Sequence, residues 1–202
     1  YATKRDWSVP HYEKMARDQA KFLLAYNNIQ SINSKAILMK NGTLQYVNNK
    51  LVGDQGEFYS SQDAHLEAAY YEQPIEIRNS LPDPFIDKRV RVSDNALLAY
   101  SLLQLKDPQS TSLARSNLKF IKREMISDKG VAFAWANQTS NLNGQSIANS
   151  WTLLAFTEAN ETTTATNIAD YTIDNLYDWN GGGFFERNSP DSNSYAPNER
   201  ID

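Results

Sequence analysis

Four side chains in this sequence could transfer protons to or from a substrate: His11, Glu13, Asp18 and Asp63. His11 and Glu13 follow Trp7 at the start of a segment with helical spacing. A helix N-terminus stabilises a carboxylate and lowers the pKa of a nearby imidazole. The pair could therefore act as general acid and base, or bind a sugar stacked on Trp7. Alternatively, Glu13 satisfies free backbone N–H groups at the helix start and His11 bonds a neighbouring loop.

Asp18 and Asp63 are the remaining candidate catalytic carboxylates. We expect Asp18 in the body of the first helix, between Met15 and Phe22, where a carboxylate needs a partner. Asp63 follows a segment of glycine and aromatic residues that we expect on a cleft face. Paired carboxylates can catalyse glycoside hydrolysis, and their separation sets the stereochemical outcome. The alternative is structural, with each carboxylate accepting hydrogen bonds from loop backbone N–H groups.

The candidate substrate-binding residues are Trp7, Tyr59, Gln62 and Asp94. Aromatic rings pack against the C–H-rich faces of sugars while polar neighbours bond the hydroxyl groups. Rings that follow glycine turns can equally belong to the core. Asp94 lies near the start of a helix that Ser93 is placed to cap, and acidic residues are common there because of the helix dipole.

Composition argues against several classes of partner and cofactor. The 202-residue chain has a net charge of −4 and no block of Lys and Arg, which argues against nucleic acid and anionic membranes as partners. No apolar run reaches the roughly 18 residues that a membrane span requires. Cysteine is absent, and the two histidines, His11 and His65, lack metal-ligand spacing. We therefore expect no metal and no cofactor.

A threefold sequence repeat predicts the elements that hold these side chains. Each copy begins with Asp or Asn in a helix-forming segment, at residues 18–20, 94–96 and 149–151. Each then reaches a glycine followed by aromatic residues, at 56–59, 130–133 and 181–185. A period of a few tens of residues indicates a repeat architecture, in which one unit cannot bury its apolar face alone.

The apolar spacing places helices within this repeat. We expect them over about 10–28, from 93–94 through the apolar run 96–105, and over 113–126, 147–159 and 163–177, with short β structure in the polar stretch 41–49. Pro108 is expected to end the second of these helices. The first helix of each pair is the more hydrophobic, which predicts an inner ring of helices packed by an outer ring.

Four segments of the chain resemble one known family. Residues 1–20, 57–71, 87–98 and 181–185 are similar, in this order, to motifs of large proteins with an N-terminal thioredoxin-like domain followed by an (α/α) toroid. That toroid is similar to those of N-acylglucosamine 2-epimerases and six-hairpin glycosidases. His65 and Asn149 stand where the family usually has acidic residues, which weakens the case for carboxylate catalysis at those two positions.

The resemblance implies an all-α fold, a partial (α/α) toroid of about three helical hairpins with short β-turn segments at one end. Residues 1–202 would form one toroid-like domain, a fragment of a longer protein that we expect to be cytoplasmic. The implied function is binding or processing of carbohydrate by acid/base chemistry in a cleft where the inner helices begin. The alternative is a non-catalytic helical scaffold or interaction domain. Expected partners are a carbohydrate ligand, a second copy of the chain or the thioredoxin-like domain.

Overall fold

Six helices and eight short strands make up the part of the chain that the computed structural model describes, which is residues 13–62, 74, 77, 86–127, 130–131, 134–136, 139–141 and 146–186. The helices are α1 (Ala16–Ile29), α2 (Ser34–Tyr46), α3 (Val92–Gln104), α4 (Pro108–Glu124), α5 (Ser146–Glu158) and α6 (Thr162–Leu176). The strands are β1 (Lys14–Met15), β2 (Ser61–Gln62), β3 (Ile86–Asp87), β4 (Val90–Arg91), β5 (Ile126–Ser127), β6 (Gly130–Val131), β7 (Ala134–Ala136) and β8 (Thr139–Asn141).

The helices form three antiparallel pairs that lie side by side. Helix α3 packs between α1 and α5, and each of these three inner helices packs against the outer helix that follows it, α2, α4 or α6. Because α3 is covered by three helices, ten of its residues are buried, including Asp94 and Asn95. The predicted all-α arrangement of three hairpins, with an inner and an outer layer, is confirmed.

Short turns join the inner and outer helices. Lys106 and Asn160 both have a left-handed backbone, with φ of 58° and 60°, at the turns between α3 and α4 and between α5 and α6. Asp107 then caps α4 by accepting a hydrogen bond from the Ser110 backbone N–H at 2.9 Å. Pro108 therefore begins α4 instead of ending α3, in agreement with the preference of proline for the first helical turn.

A short antiparallel hairpin with a left-handed glycine follows each outer helix. Gly56, Gly130 and Gly183 have φ of 93°, 89° and 85°. Antiparallel pairing closes these turns, between Val52 and Phe58, between β5 and β6, and between Tyr177 and Phe184. Since the outer helices end where the inner helices begin, all three turns lie at the same end of the molecule, as predicted.

Two boundaries predicted for the first hairpin are wrong. The first helix begins at Ala16 and not at Pro10, because Lys14 and Met15 are extended and pair with Gln62 and Ser61 of β2. The stretch 41–49 is not β structure. It forms the end of α2 and most of a single π-helical turn, Val47–Leu51.

Two three-stranded sheets lie at the end of the molecule where the inner helices begin. One has the order β1–β2–β3 and the other β4–β7–β8, and all neighbouring strands are antiparallel. Strands β1 and β4 run directly into α1 and α3. The two sheets therefore fix where these inner helices start, and with them the side chains of their first turns.

Candidate functional site

The first turns of the inner helices surround an open cleft of about 380 Å³. It is lined by Arg17, Asp18, Lys21, Arg91, Ser93, Asp94, Leu97, Ile147 and Trp151. These residues belong to α1, to the end of β4 and start of α3, and to α5. The cleft thus lies where the three inner helices begin, the position that the sequence resemblance implies for a binding site.

Asp94 is a buried carboxyl at the base of this cleft, with only 5% of its surface exposed. The Ser93 hydroxyl donates to Asp94 Oδ1 at 3.3 Å, while Oδ2 has no hydrogen-bond partner among the described residues. Burial raises the pKa of Asp94 above its ordinary value of 3.8, although the positive charges of Arg91 and Arg17 oppose this shift. Asp94 therefore retains its proton to a higher pH than an exposed aspartate.

Ser93 does not cap α3, contrary to the prediction. The residue at the capping position is Arg91, which is extended and whose side chain makes no capping hydrogen bond. Ser93 lies one residue inside the helix, where its hydroxyl bonds Asp94. It therefore orients the cleft carboxyl and leaves the helix end without a side-chain cap.

Asp18 lines the cleft from the first turn of α1, not from the body of a helix as predicted. Its Oδ1 lies 3.7 Å from Lys21 Nζ, and its side chain is 46% exposed. An exposed pair at this distance contributes little to stability. The Asp18 carboxylate is thus held loosely and is accessible from the cleft.

Arg17 and Arg91 bring two further positive charges to the cleft. Within the described part of the chain, neither guanidinium group donates a hydrogen bond or forms an ion pair within 4.0 Å. Both act on Asp94 through space. Guanidinium groups without a protein partner are available to a ligand.

Trp151 and Ile147 of α5 form the apolar wall of the cleft. Trp151 is partly buried, and its ring lies 6.3 Å from that of Tyr100, centroid to centroid. Because Trp151 is partly buried and lines the cleft, its indole can offer an aromatic surface to a ligand.

The structure brings some of the predicted site residues together and separates others. Asp18 and Asp94 line the cleft together, whereas Glu13, Tyr59 and Gln62 are not among the residues that line it. Predicted residues Trp7, His11 and Asp63 lie outside the described residues.

Glu13 and Gln62 belong to the first sheet and its margin. Glu13 Oε1 accepts a hydrogen bond from the Ser61 hydroxyl at 3.2 Å, and Gln62 pairs with Lys14 across β1 and β2. Because Glu13 precedes β1, it does not lie at the start of α1 as predicted. Its contacts link the chain before α1 to the segment after the first glycine turn.

Tyr59 lies beside this sheet with a partly buried ring. Lys88 Nζ is 5.6 Å from the centre of the ring, a cation–π distance. Burial raises the pKa of the Tyr59 hydroxyl, and the charges of Glu57 and Asp54 raise it further. Tyr59 is therefore a neutral phenol near the sheet, outside the cleft that Asp94 occupies.

Sequence reasoning missed the cationic and aromatic residues of the cleft, which are Arg17, Lys21, Arg91 and Trp151. Each lies within three residues of the repeated Asp or Asn motif. Comparison of the three motif copies could have found them, since equivalent positions in a ring of parallel helices face a common centre.

A second hollow, of about 470 Å³, lies on the outer surface between α2 and α4. Its lining includes Lys40, which donates to Gln30 at 2.6 Å, and Asp107, which caps α4. Both charged side chains already have structural hydrogen bonds. The hollow therefore lacks the buried, unsatisfied polar group that distinguishes the cleft at Asp94.

Nowhere among the described residues do three or more His, Cys, Asp or Glu side chains come together in a way that could hold a metal ion. No described helix has the length and apolar character that crossing a membrane requires.

The chain has sequence relatives among curated proteins, although no family model matches it. It is 34% identical over 110 residues to human Spermatogenesis-associated protein 20, and 33% identical over 110 residues to the mouse protein of that name. The matched region is 48% of this chain and 14% of each relative. The chain thus corresponds to a small part of these longer proteins.

Solved structures of (α/α)-toroid enzymes share its fold. A cellobiose 2-epimerase from Bacillus thermoamylovorans superposes with a TM-score of 0.67 at 12% identity, over 87% of this chain and 48% of the enzyme. A D-mannose isomerase gives a TM-score of 0.68 at 14% identity, over 89% and 49%. A family 76 glycoside hydrolase from Bacteroides thetaiotaomicron gives 0.65 at 13% identity, over 92% and 38%.

These comparisons confirm the resemblance predicted from the sequence motifs. At such low identity the solved structures establish the fold alone, and the chain spans about half of the epimerase and isomerase toroids. The chain therefore has the fold of three hairpins of an (α/α) toroid, and its sequence relatives include the human and mouse Spermatogenesis-associated protein 20.

Proposed function

We propose that the cleft at the start of the inner helices binds a carbohydrate and that Asp94 acts as a general acid on it. One observation carries this proposal. Asp94 is almost fully buried, yet its Oδ2 has no hydrogen-bond partner among the described residues and the residue lines an open cleft. A buried polar atom without a partner is costly, and a rotation of the Asp94 side chain towards the cleft would let a ligand hydroxyl or ring oxygen satisfy it.

The direction of the Asp94 pKa shift supports the role of proton donor. A general acid must still carry its proton near the working pH, and burial raises the pKa of Asp94. Acid–base reactions on sugars also need a proton acceptor. Asp18, which lines the same cleft from α1 and is partly exposed, is a carboxylate suited to that role.

Trp151 supports the assignment of the ligand to carbohydrates. An indole ring packs against the C–H-rich face of a sugar, while carboxyl and guanidinium groups nearby bond its hydroxyls. Proteins that share this fold include a cellobiose 2-epimerase, a D-mannose isomerase and a family 76 glycoside hydrolase. Proton transfer at a sugar carbon and glycoside hydrolysis both suit a pair of carboxyl groups in different surroundings, here one buried and one partly exposed.

Calorimetric titration of the 202-residue chain with mannose and cellobiose tests sugar binding. NMR of the sugars after incubation tests their conversion. We expect saturable binding that changes little in Asp94→Asn, together with a loss of turnover of roughly 100-fold or more in that variant. Asp170→Asn provides the matched control, because Asp170 is exposed on α6, away from the inner helices. This control should leave binding and turnover unchanged.

Two results would contradict the proposal. Unchanged turnover in Asp94→Asn would remove Asp94 from the chemistry. Failure of every sugar to bind would favour the alternative, a helical scaffold that accompanies another domain and has no catalytic cleft.

A further inference from the structure

We infer that the carbohydrate bound in the cleft is anionic, carrying a carboxylate or a phosphate ester held by Arg17 and Arg91. This inference rests on the proposed function and narrows its substrate class. A carboxylate and a phosphate ester both present negatively charged oxygen atoms, in a planar and a tetrahedral group respectively. A guanidinium binds either group through paired N–H donors.

The balance of charge in the cleft is the first argument. Arg17, Lys21 and Arg91 line it together with two carboxyl groups, Asp18 and Asp94. Lys21 is opposite Asp18 at 3.7 Å, while both arginines act through space on Asp94 and Arg91 acts on Asp87 as well. Because three cationic and two acidic side chains line the cleft, and burial favours the neutral form of Asp94, positive charge is in excess among the described lining residues.

This excess is local and does not follow from the composition of the chain. The whole protein has a net charge of −4, so a generally basic surface does not explain two arginines at one cleft. Neither guanidinium has a hydrogen-bond or ion-pair partner in the described part of the chain. A bound oxyanion would supply the partner that both lack.

The position of the arginines in their helices is the second argument. Arg17 is in the first turn of α1, and Arg91 immediately precedes α3. Neither helix has a side-chain cap, although the Ala16 N–H of α1 donates to the Ser60 carbonyl. The positive end of each helix dipole adds to the arginine charges.

The test compares three sugars that differ in one substituent: D-mannose, D-mannuronate and D-mannose 6-phosphate, with inorganic phosphate as a fourth ligand. We expect at least one anionic sugar to bind roughly 10-fold or more tightly than mannose, because hydrogen bonds between charged groups are the stronger ones. The anionic sugar that binds more tightly shows whether the cleft prefers a carboxylate or a phosphate. In wild type this preference should decrease as salt is added.

Arg17→Gln and Arg91→Gln should each remove most of the preference for the anionic sugar over mannose, because each variant weakens binding of the anionic sugar more than binding of mannose. Lys119→Gln, on the exposed side of α4, removes the same charge away from the cleft and should retain the preference. The salt series on wild type does not depend on whether the arginine variants fold.

The possible outcomes separate the two proposals. Equal affinity for mannose and both anionic sugars would overturn the anionic assignment and leave the proposed function intact. Binding of inorganic phosphate as tightly as mannose 6-phosphate would overturn it too, since the sugar would then contribute nothing. If none of the three sugars binds, the proposed function fails and this inference fails with it.

Discussion

Asn95 and Phe58 are joined by two reciprocal hydrogen bonds that tie an inner helix to the turn after the preceding outer helix. The Phe58 N–H donates to Asn95 Oδ1 at 2.7 Å, and Asn95 Nδ2 donates to the Phe58 carbonyl at 2.8 Å. Asn95 also donates to the Arg91 carbonyl and accepts from Asn117. All four hydrogen-bonding positions of the carboxamide are used. Since Asn95 follows Asp94, these bonds also fix the helical turn that carries the cleft carboxyl.

Asn95→Ala should destabilise the protein strongly. The substitution leaves the buried N–H and C=O of Phe58 without these partners, so we expect the free energy of unfolding to fall by about 3 kcal/mol or more. Urea denaturation followed by circular dichroism measures the change. Asn167→Ala, at an exposed position of α6, is the control and should change stability by less than about 0.5 kcal/mol. A loss below about 1 kcal/mol for Asn95→Ala would contradict the role of this network.

Asn117 extends the network to the outer layer. Its Nδ2 donates to Asn95 Oδ1 at 2.8 Å and to the Gly56 carbonyl at 2.9 Å. In a double-mutant cycle of Asn95→Ala and Asn117→Ala we expect a coupling energy of about 1 kcal/mol, because each side chain loses a shared bond when the other is removed. Additive effects would show that the two carboxamides act independently.

Gly130→Ala and Gly183→Ala separate backbone strain from steric contact. Both glycines have left-handed φ values, 89° and 85°. Alanine in that conformation costs about 1 kcal/mol. A Cβ on Gly130 would lie 2.3 Å from the Tyr171 ring, whereas a Cβ on Gly183 meets no described atom within 4 Å. Gly130→Ala should therefore cost about 1–3 kcal/mol more than Gly183→Ala, as measured by thermal or urea unfolding.

A second variant tests the steric explanation. Combining Gly130→Ala with Tyr171→Ala removes the ring that the new methyl group would strike, so the extra cost of Gly130→Ala should disappear in that background. Equal costs of the two single glycine substitutions would instead mean that Tyr171 moves away freely.

The third hairpin was the part of the fold best predicted from the sequence. Its helices were expected over 147–159 and 163–177 and are found at Ser146–Glu158 and Thr162–Leu176. Apolar residues at helical spacing and the glycine run that follows them are local signals. Packing against α3 stabilises the helix that these signals predict.

The first hairpin was predicted poorly because its structure depends on distant contacts. Met15 is extended since it pairs with Ser61, a partner that no local pattern reveals. Helix α2 contains Gly42 and buries only Ala36 completely, so it lacks a clear apolar stripe and depends on packing against α1. Long-range pairing and tertiary packing override weak local preferences here.

The candidate site was predicted in part. Asp18 and Asp94 were selected from the repeated motif, but their common cleft depends on three helix starts meeting around one centre. Trp151 and Arg91 were not selected, because each becomes a cleft residue only through that arrangement. The catalytic and binding roles of all these residues remain predictions.

Exposed apolar side chains predict self-association. Large exposed hydrophobic residues of the described helices lie on the first and third hairpins, such as Phe22, Leu38, Leu154 and Ile173, and the middle hairpin has none among its described residues. Inner helices α1 and α5 each pack on one inner neighbour, while α3 packs on two. Among the described residues, the first and third hairpins thus present apolar faces that no other helix covers. A second copy of the chain would cover them.

Light scattering should therefore give a mass above that of one chain at micromolar concentration. Replacing Leu154 and Ile173 with Gln should lower that mass, whereas Ser112→Gln on the middle hairpin should not. A single-chain mass for wild type over the whole concentration range would contradict the prediction.

The buried Asp94 carboxyl should make stability depend on pH in a direction opposite to that of Asp107. Burial raises the pKa of Asp94 above 3.8, so the folded state holds this proton more tightly than the unfolded state. Its contribution to stability is fully present below the unfolded pKa and is lost as pH rises through the folded pKa. Asp94→Asn cannot ionise, so it should be more stable than wild type at neutral pH and lose this advantage at about pH 3.

Asp107 provides the contrasting control. Burial would raise its pKa, but hydrogen bonds from Ser110 and from the Gln109 N–H outweigh that effect and lower it. Its contribution is therefore present above the unfolded pKa and is lost as pH falls through the folded pKa. Urea unfolding between about pH 3 and pH 8 should show that Asp107→Asn reduces the acid-side loss, while Asp94→Asn reduces the loss on raising the pH. Parallel pH profiles for wild type and Asp94→Asn would mean that water or a charge reaches Asp94 and removes the basis for its role as an acid.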